Sequence, residues 1–198
     1  VMGLVIATMT GYALDKLELP GKRLLFTIVM ALMMIPAYLW LIPQFLLIEQ
    51  YGMIDTYWGL IIPGCVNSFS IFLMRQAFLS VPKDYIDAAI VDGAGQILIL
   101  RKIAFPMVTA MALTLVLVNA FWSWNDFLWP FIVIVHDEMS TLPVALARWS
   151  RMLMGVGATT RAGEVMAAAT LTALPIMVVF LIFQRRCVEA LTMSGLKG

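Results

Sequence analysis

Four stretches without a single charged side chain run from Leu24 to Ile48, Thr56 to Met74, Ile103 to Asn125 and Val165 to Gln184. Each is long enough to cross a hydrocarbon core, which takes roughly 20 residues of helix. They predict four membrane-spanning helices. Composition agrees: 62% of the chain is hydrophobic and 13% charged, with mean hydropathy +0.94, against about 25% charged in a soluble domain. A fifth apolar stretch, Val1 to Leu14, is too short by itself. It starts inside the hydrophobic pattern without the basic segment or cleavage site of a signal peptide, so the natural N-terminus and any earlier span are expected to lie outside this chain.

Basic residues fix the expected orientation, because Lys and Arg accumulate on the cytoplasmic side of short loops. Assigning loops alternately puts Lys16, Lys22, Arg23, Arg75, Lys83, Arg101, Lys102, Arg185, Arg186 and Lys197 on one side, against Arg148, Arg151 and Arg161 on the other. The first side is cytoplasmic, and so is the C-terminus. Tyr57, Trp58, Trp129 and Trp149 fall near the outer boundary, where amphipathic rings are favoured. Net charge of +1 gives no pointer to nucleic acid. Cys65 near mid-membrane and Cys187 at an edge suit neither a disulfide nor a metal site, and His136 reads as a boundary residue without metal-ligand neighbours.

Between the second and third spans lies a segment too polar to span and too apolar to be a solvated linker, Val81 to Pro106. Pro82 and Asp84 mark a helix start, since Pro suits the first turn and an early carboxylate suits the helix dipole. Tyr85, Ile86, Ala89 and Ile90 recur at helical spacing, and a second apolar face begins at Ile97 after Gly93 and Gly95. Two short helices bent at Gly93 are expected. Their apolar face needs a cover, with small Ala88 and Ala89 allowing close approach. Periodicity leaves two covers open: a partner protein or the lipid headgroups.

The same segment reads Asp87, Ala88, Ala89, then Gly93, then Ile103, Phe105 and Pro106. It resembles the cytoplasmic signature of ABC importer permeases, in which EAA is followed after three residues by Gly and after nine more by Ile, one residue, Leu-Pro. Asp87 stands for the usual Glu, keeping the charge on a shorter arm, and Phe105 for the usual Leu. The resemblance covers essentially the whole chain. LELPGKRLL (17–25), WSWNDFLWP (122–130), LPVAL (142–146) and the terminal ALTMSGLKG (190–198) look like those of the carbohydrate-importing, maltose-type branch.

This resemblance implies an all-α polytopic bundle of the type I importer kind, a single permease domain over 1–198 with five of six expected spans visible and a coupling loop at 81–103. It implies a bacterial inner-membrane assembly with a second homologous permease, two copies of an ABC ATPase and an extracytoplasmic substrate-binding protein. The chain has no G-x-x-x-x-G-K-[ST] loop, so ATP and Mg belong to the partner ATPase and no cofactor is expected here. The ATPase contact implied is made by Asp84, Tyr85, Asp87, Ala88, Ala89, Asp92, Gly93, Ala94, Ile103 and Pro106. Motion of the ATPase would tilt the spans and alternate access. Pro36, Pro43, Pro63 and Pro175 fall in or beside spans, where they can bend helices or simply be tolerated.

Polar residues inside spans are candidates for a cargo pathway. Asn67, Ser68 and Ser70 lie in one span and Asn119, Ser123, Asn125 and Asp126 in the next, with Trp122 and Trp124 interleaved. Neutral hydrogen-bonding groups beside aromatic faces suit a hydroxyl-rich cargo, although helix packing accounts for each equally well. Asp126 is placed about 28 Å up its helix from Met107, an outer position. The outer segment Asp137–Glu164 is either a docking surface for the binding protein or an ordinary connection. A sugar, a polyol or a glycerol-phosphate compound all remain open as cargo. A secondary transporter would need paired intramembrane charges, and a membrane enzyme a clustered acid, base or metal set; the spans offer essentially Asp126 alone.

Overall fold

The break points in the apolar stretches decide the fold. In a computed structural model, residues 1–154 and 162–195 are described, the side chains of 153–154 and 184–195 excepted, and every regular element among them is helical. The elements are α1 (Met2–Lys16), α2 (Lys22–Met34), a 3-10 turn at Ala37–Trp40, α3 (Leu41–Gln50), α4 (Tyr57–Gly64), α5 (Ser68–Leu79) and α6 (Lys83–Val91). Then follow α7 (Gln96–Met107), α8 (Thr109–Asn125), α9 (Leu128–Val133), a 3-10 turn at Asp137–Met139, α10 (Leu142–Met154) and α11 (Ala162–Gly195).

Only one of the four expected spans is an unbroken helix. Ala162–Phe183 of α11 is long and apolar enough to cross a membrane alone, and Pro175 does not interrupt it. The stretch Leu24–Ile48 is instead two helices bent by 99°, with Ile35 extended immediately before Pro36, as the ring of a following proline demands. Thr56–Met74 bends by 43° between α4, which contains Pro63, and α5. Ile103–Asn125 is divided at Val108, where α7 and α8 meet at 81°. There the Thr109 hydroxyl donates to the carbonyls of Phe105 and Pro106, at 3.2 and 2.9 Å, and so satisfies backbone that the break sets free. Pro43 sits harmlessly in the first turn of α3.

The chain divides into two compact units, one of Val1–Leu39, Gly64–Val118 and the chain from Arg186 onward, the other of Trp40–Pro63 and Asn119–Arg185. In the first, α1 lies against α5. A Cβ on Gly11 would sit 2.8 Å from the Arg75 amide nitrogen and 2.9 Å from the Met74 Cβ, so only a glycine permits the approach. Tyr12 then meets Phe78 edge-on at 5.5 Å, and Met74, Phe78, Ile99 and Leu115 are wholly buried around them.

In the second unit, the Trp129 indole donates to the Gly59 carbonyl at 3.0 Å, in a cluster with Ile48, Val133 and Ile134. Trp129 is therefore a core residue, whereas Tyr57 and Trp58 are exposed. The Trp124 indole donates to the Thr172 carbonyl at 3.1 Å and pins α8 to α11. Part of the segment 137–164, expected as either a docking surface or an ordinary connection, is the amphipathic helix α10, with Val144 buried and Leu142 and Met152 exposed. Arg161 and the end 196–198, including Lys197, lie outside the described residues, as do the side chains of Arg185, Arg186 and Cys187.

Candidate functional site

α6 and α7 form the bent element on which the sequence concentrates its signal. α6 begins after Pro82, extended at φ −60° and ψ 137°, with Asp84 in the first turn. Its C-terminus closes as a Schellman motif. Gly93 is left-handed at φ +79°, its N–H bonds to the Ile90 carbonyl at 3.0 Å, and the Ala94 N–H bonds to the Ala89 carbonyl at 2.9 Å. The left-handed residue is the bend, and Gly95 then caps α7.

One stripe of this element packs inward on its own unit: Ile86, Ala89, Ile99 and Ala104 are buried in the α1–α5 core. Part of the face expected to meet a partner is thus covered by the chain itself, Ala89 included, because α1 and α5 already offer an apolar surface. The opposite side stays open. Asp84, Asp87, Ala88, Asp92 and Gly93 are exposed, Ala94 is half-buried, and Tyr85 (57%), Val91 (86%) and Ile97 (79%) present large apolar surface. Carboxylates and apolar side chains alternate on this open side, a mixture that fits a docking surface.

The element is tied to the helices beneath it. The Tyr12 hydroxyl donates to Gln96 Oε1 at 2.9 Å, and Lys16 Nζ donates to the Val81 carbonyl at 2.7 Å while pairing with Asp15 at 3.0 Å. Lys16 and Asp15 are each 9% exposed, so this ion pair is poorly screened. Sequence reading missed these tethers, since nothing local marks a contact across 84 or 65 residues. Within α7 the backbone widens to a π-helical turn at Leu100–Ala104, immediately before Pro106. Ile103, half-buried, lies in that turn, and Pro106 follows it exposed; both belong to the second arm of the element.

The residues singled out for a cargo pathway fall into both units. In the first, Asn67 caps α5, its side-chain oxygen accepting from the Phe69 N–H at 2.9 Å and the Ser70 N–H at 3.4 Å. That bond accounts for the asparagine locally. Ser70 is buried. In the second unit, Asn119, Trp122 and Ser123 share one face of α8, with Asp126 one turn further on, just past the helix end. Trp122 and Ser123 are exposed and Asn119 and Asp126 half-buried, whereas Asn125 turns its amide back to the Phe121 carbonyl at 2.8 Å. A stripe of amide, indole, hydroxyl and carboxyl groups can bind a polyhydroxylated solute.

A further cluster escaped the sequence reading entirely. Asp55, left-handed at φ 57°, accepts hydrogen bonds from the amides of Val135 and His136 and from the His136 ring. These bonds hold its carboxyl down at about 2, led by the His136 ring, and the same carboxylate raises the His136 pKa. His136 is thus half of a clip across 81 residues. Next to it Arg148 donates to Asp137 at 2.5 Å, to Ser140 at 3.1 Å and to the Ile134 carbonyl at 2.8 Å. Among the described residues no group of His, Cys, Asp and Glu could hold a metal ion.

Comparison with known proteins adds to this geometry. The family model described as binding-protein-dependent transport system inner membrane component matches residues 3–192. The arabinooligosaccharides transport system permease protein of Halalkalibacterium halodurans is 33% identical over 198 residues, covering 100% of this chain and 69% of that relative. The sn-glycerol-3-phosphate transport system permease protein of Yersinia enterocolitica is 30% identical over 191 residues, covering 96% and 67%. Among solved structures, a chain of a bacterial ABC transporter involved in the import of the acidic polysaccharide alginate superposes with TM-score 0.77 at 25% identity, covering 93% of this chain and 68% of that one. The chain belongs to the family of binding-protein-dependent transport system inner membrane components, and is a non-catalytic permease subunit of an ABC transporter.

Proposed function

We propose that this permease imports a sugar or related polyol by alternating access, and that the element Lys83–Met107 is the lever through which an ATPase drives it. One observation carries the reading: the element exposes apolar side chains at Tyr85, Val91 and Ile97 among the carboxylates Asp84, Asp87 and Asp92, while its other face and two side-chain tethers are built into the α1–α5 core. A force applied outside is thereby delivered to the helices within. The carboxyl groups of Asp84, Asp87 and Asp92 and the small surface of Ala88 and Gly93 make the contact; Ala94, Ile103 and Pro106 hold the second arm in position.

The assembly supporting this reading has a second permease, two ATPase subunits holding ATP and Mg, and an extracytoplasmic binding protein. Counted as crossings, α1, the bent pairs α2–α3 and α4–α5, the helix α8 and α11 give five, with α6 and α7 in the cytoplasm. The motifs at 17–25, 122–130 and 190–198 favour the maltose-type branch of the carbohydrate importers. The Asn119, Trp122, Ser123 and Asp126 stripe is the part of the pathway contributed by α8, with Asn67 and Ser70 on α5 and Asn125 beside the stripe in supporting places. Sugar cargo is favoured by the arabinooligosaccharide relative and the alginate-importing neighbour. A glycerol-phosphate cargo is the second reading, favoured by the sn-glycerol-3-phosphate relative.

A cysteine at Asp87, probed with a membrane-impermeant maleimide, is expected to react in inside-out vesicles and not in spheroplasts. Labelling from the outside would overturn the lever. Equilibrium binding of arabino-oligosaccharides, maltose and sn-glycerol 3-phosphate to the cognate binding protein then separates the two cargo readings.

A further inference from the structure

The α1–α2 turn and the end of α5 enclose a cavity of about 330 Å³ lined in part by Asp15, Lys22, Arg23, Phe26 and Arg75. Its charges do not cancel. Asp15 is committed to Lys16, which leaves three cations at the cavity with no carboxylate partner among the described residues. Lys22 donates to the Leu17 carbonyl at 3.2 Å. The Arg75 guanidinium lies over the Phe26 ring, 3.9 Å from its centroid, and its Nε is buried without a hydrogen-bond acceptor among the described residues.

The buried Nε is out of reach of any ligand, but Arg75 is only partly buried and lines the cavity together with Lys22 and Arg23, so the rest of its guanidinium is available to an acceptor from outside the chain. α2 starts at the same place behind Gly21 with no side-chain cap, which adds the positive end of its dipole. A compact anion with several oxygens, a phosphate group, matches a guanidinium fork flanked by two further cations. Position narrows the source. Directly after Arg23, α2 turns Leu24, Leu25 and Ile28 outward at 65%, 49% and 47% exposure, the surface along which acyl chains lie.

We propose that this cavity binds the phosphate of an anionic phospholipid, whose chains run along α2. The test is thermal unfolding of the intact transporter in neutral detergent with added phosphatidylglycerol, phosphatidylcholine, or inorganic phosphate at matched ionic strength. Phosphatidylglycerol raises the unfolding midpoint saturably and phosphatidylcholine does not. Arg75→Gln and Arg23→Gln each raise the half-effective phosphatidylglycerol concentration about fivefold, as expected for one cation at an anionic surface. Arg23 is exposed, so its variant keeps the test decisive should the Arg75 variant fold poorly. Equal protection by both lipids, or variants that respond as wild type, overturns the site; an equal shift from inorganic phosphate overturns the lipid assignment.

Discussion

Replacing Gly93 isolates the bend from everything around it. A Cβ added there meets no atom within 4 Å, so sterics beyond the residue itself contribute nothing, and the whole effect comes from φ +79°. An L-residue held left-handed costs about 1–2 kcal/mol, and Asn recovers much of it because its side chain tolerates that region. Gly93→Ala is therefore expected to open the Schellman bonds about 5- to 30-fold more often, with Gly93→Asn in between. Hydrogen exchange at the Ala94 amide reads the opening directly, and substrate-stimulated ATPase activity of the reconstituted complex reads its consequence for coupling. The ranking Gly, Asn, Ala should hold in both. If Gly93→Ala exchanges like wild type, the motif does not hold the bend; if it exchanges faster yet stays fully coupled, the bend is not part of the lever.

Gly11→Ala should destabilise by about 1–3 kcal/mol, as overpacking does, because the new methyl would press on α5 backbone and not on a side chain able to rotate. A thermal midpoint equal to wild type would refute the close α1–α5 approach. The Asp55–His136 clip has a pH window. Its carboxylate contribution is present above pH 3.8 and lost as pH falls toward about 2, while the imidazolium contribution is present below 6.5 and lost as pH rises through the raised histidine pKa. After correction for intrinsic rates, Val135 and His136 amide exchange should be slowest between those limits, and Asp55→Asn should abolish that pH dependence; a flat wild-type profile would contradict the clip.

Helical class and the bend at Gly93 were legible because each is written locally, in apolar run length and in a glycine following a helical pattern. Where spans break was less so. Pro36 announced its break, but the one at Val108 follows Pro106 by two residues, and Pro175 produces none at all. Proline removes a hydrogen bond wherever it stands, and packing decides whether the helix turns. The partners of Trp129 and His136 were illegible for a related reason. Aromatic and imidazole side chains suit an interface in general, whereas their actual partners, Gly59 and Asp55, lie 70 and 81 residues away. Among the cargo candidates, Asn67 is explained by the helix it caps and Asn125 by its bond to the Phe121 carbonyl, both local contacts that composition alone does not reveal.

The wide turn at Leu100–Ala104 gives the signature spacing a geometric meaning. A π-helical turn takes up one residue more than an α-helical one, so a deletion there is absorbed, whereas a one-residue change in the regular turns beside it would rotate everything downstream by about 100°. The interval between Gly93 and Ile103 would then act as a phase setting, deciding which side of α7 and which heading of α8 the chain presents. A one-residue change in its regular turns would re-aim α8 while leaving hydropathy and helix content almost untouched.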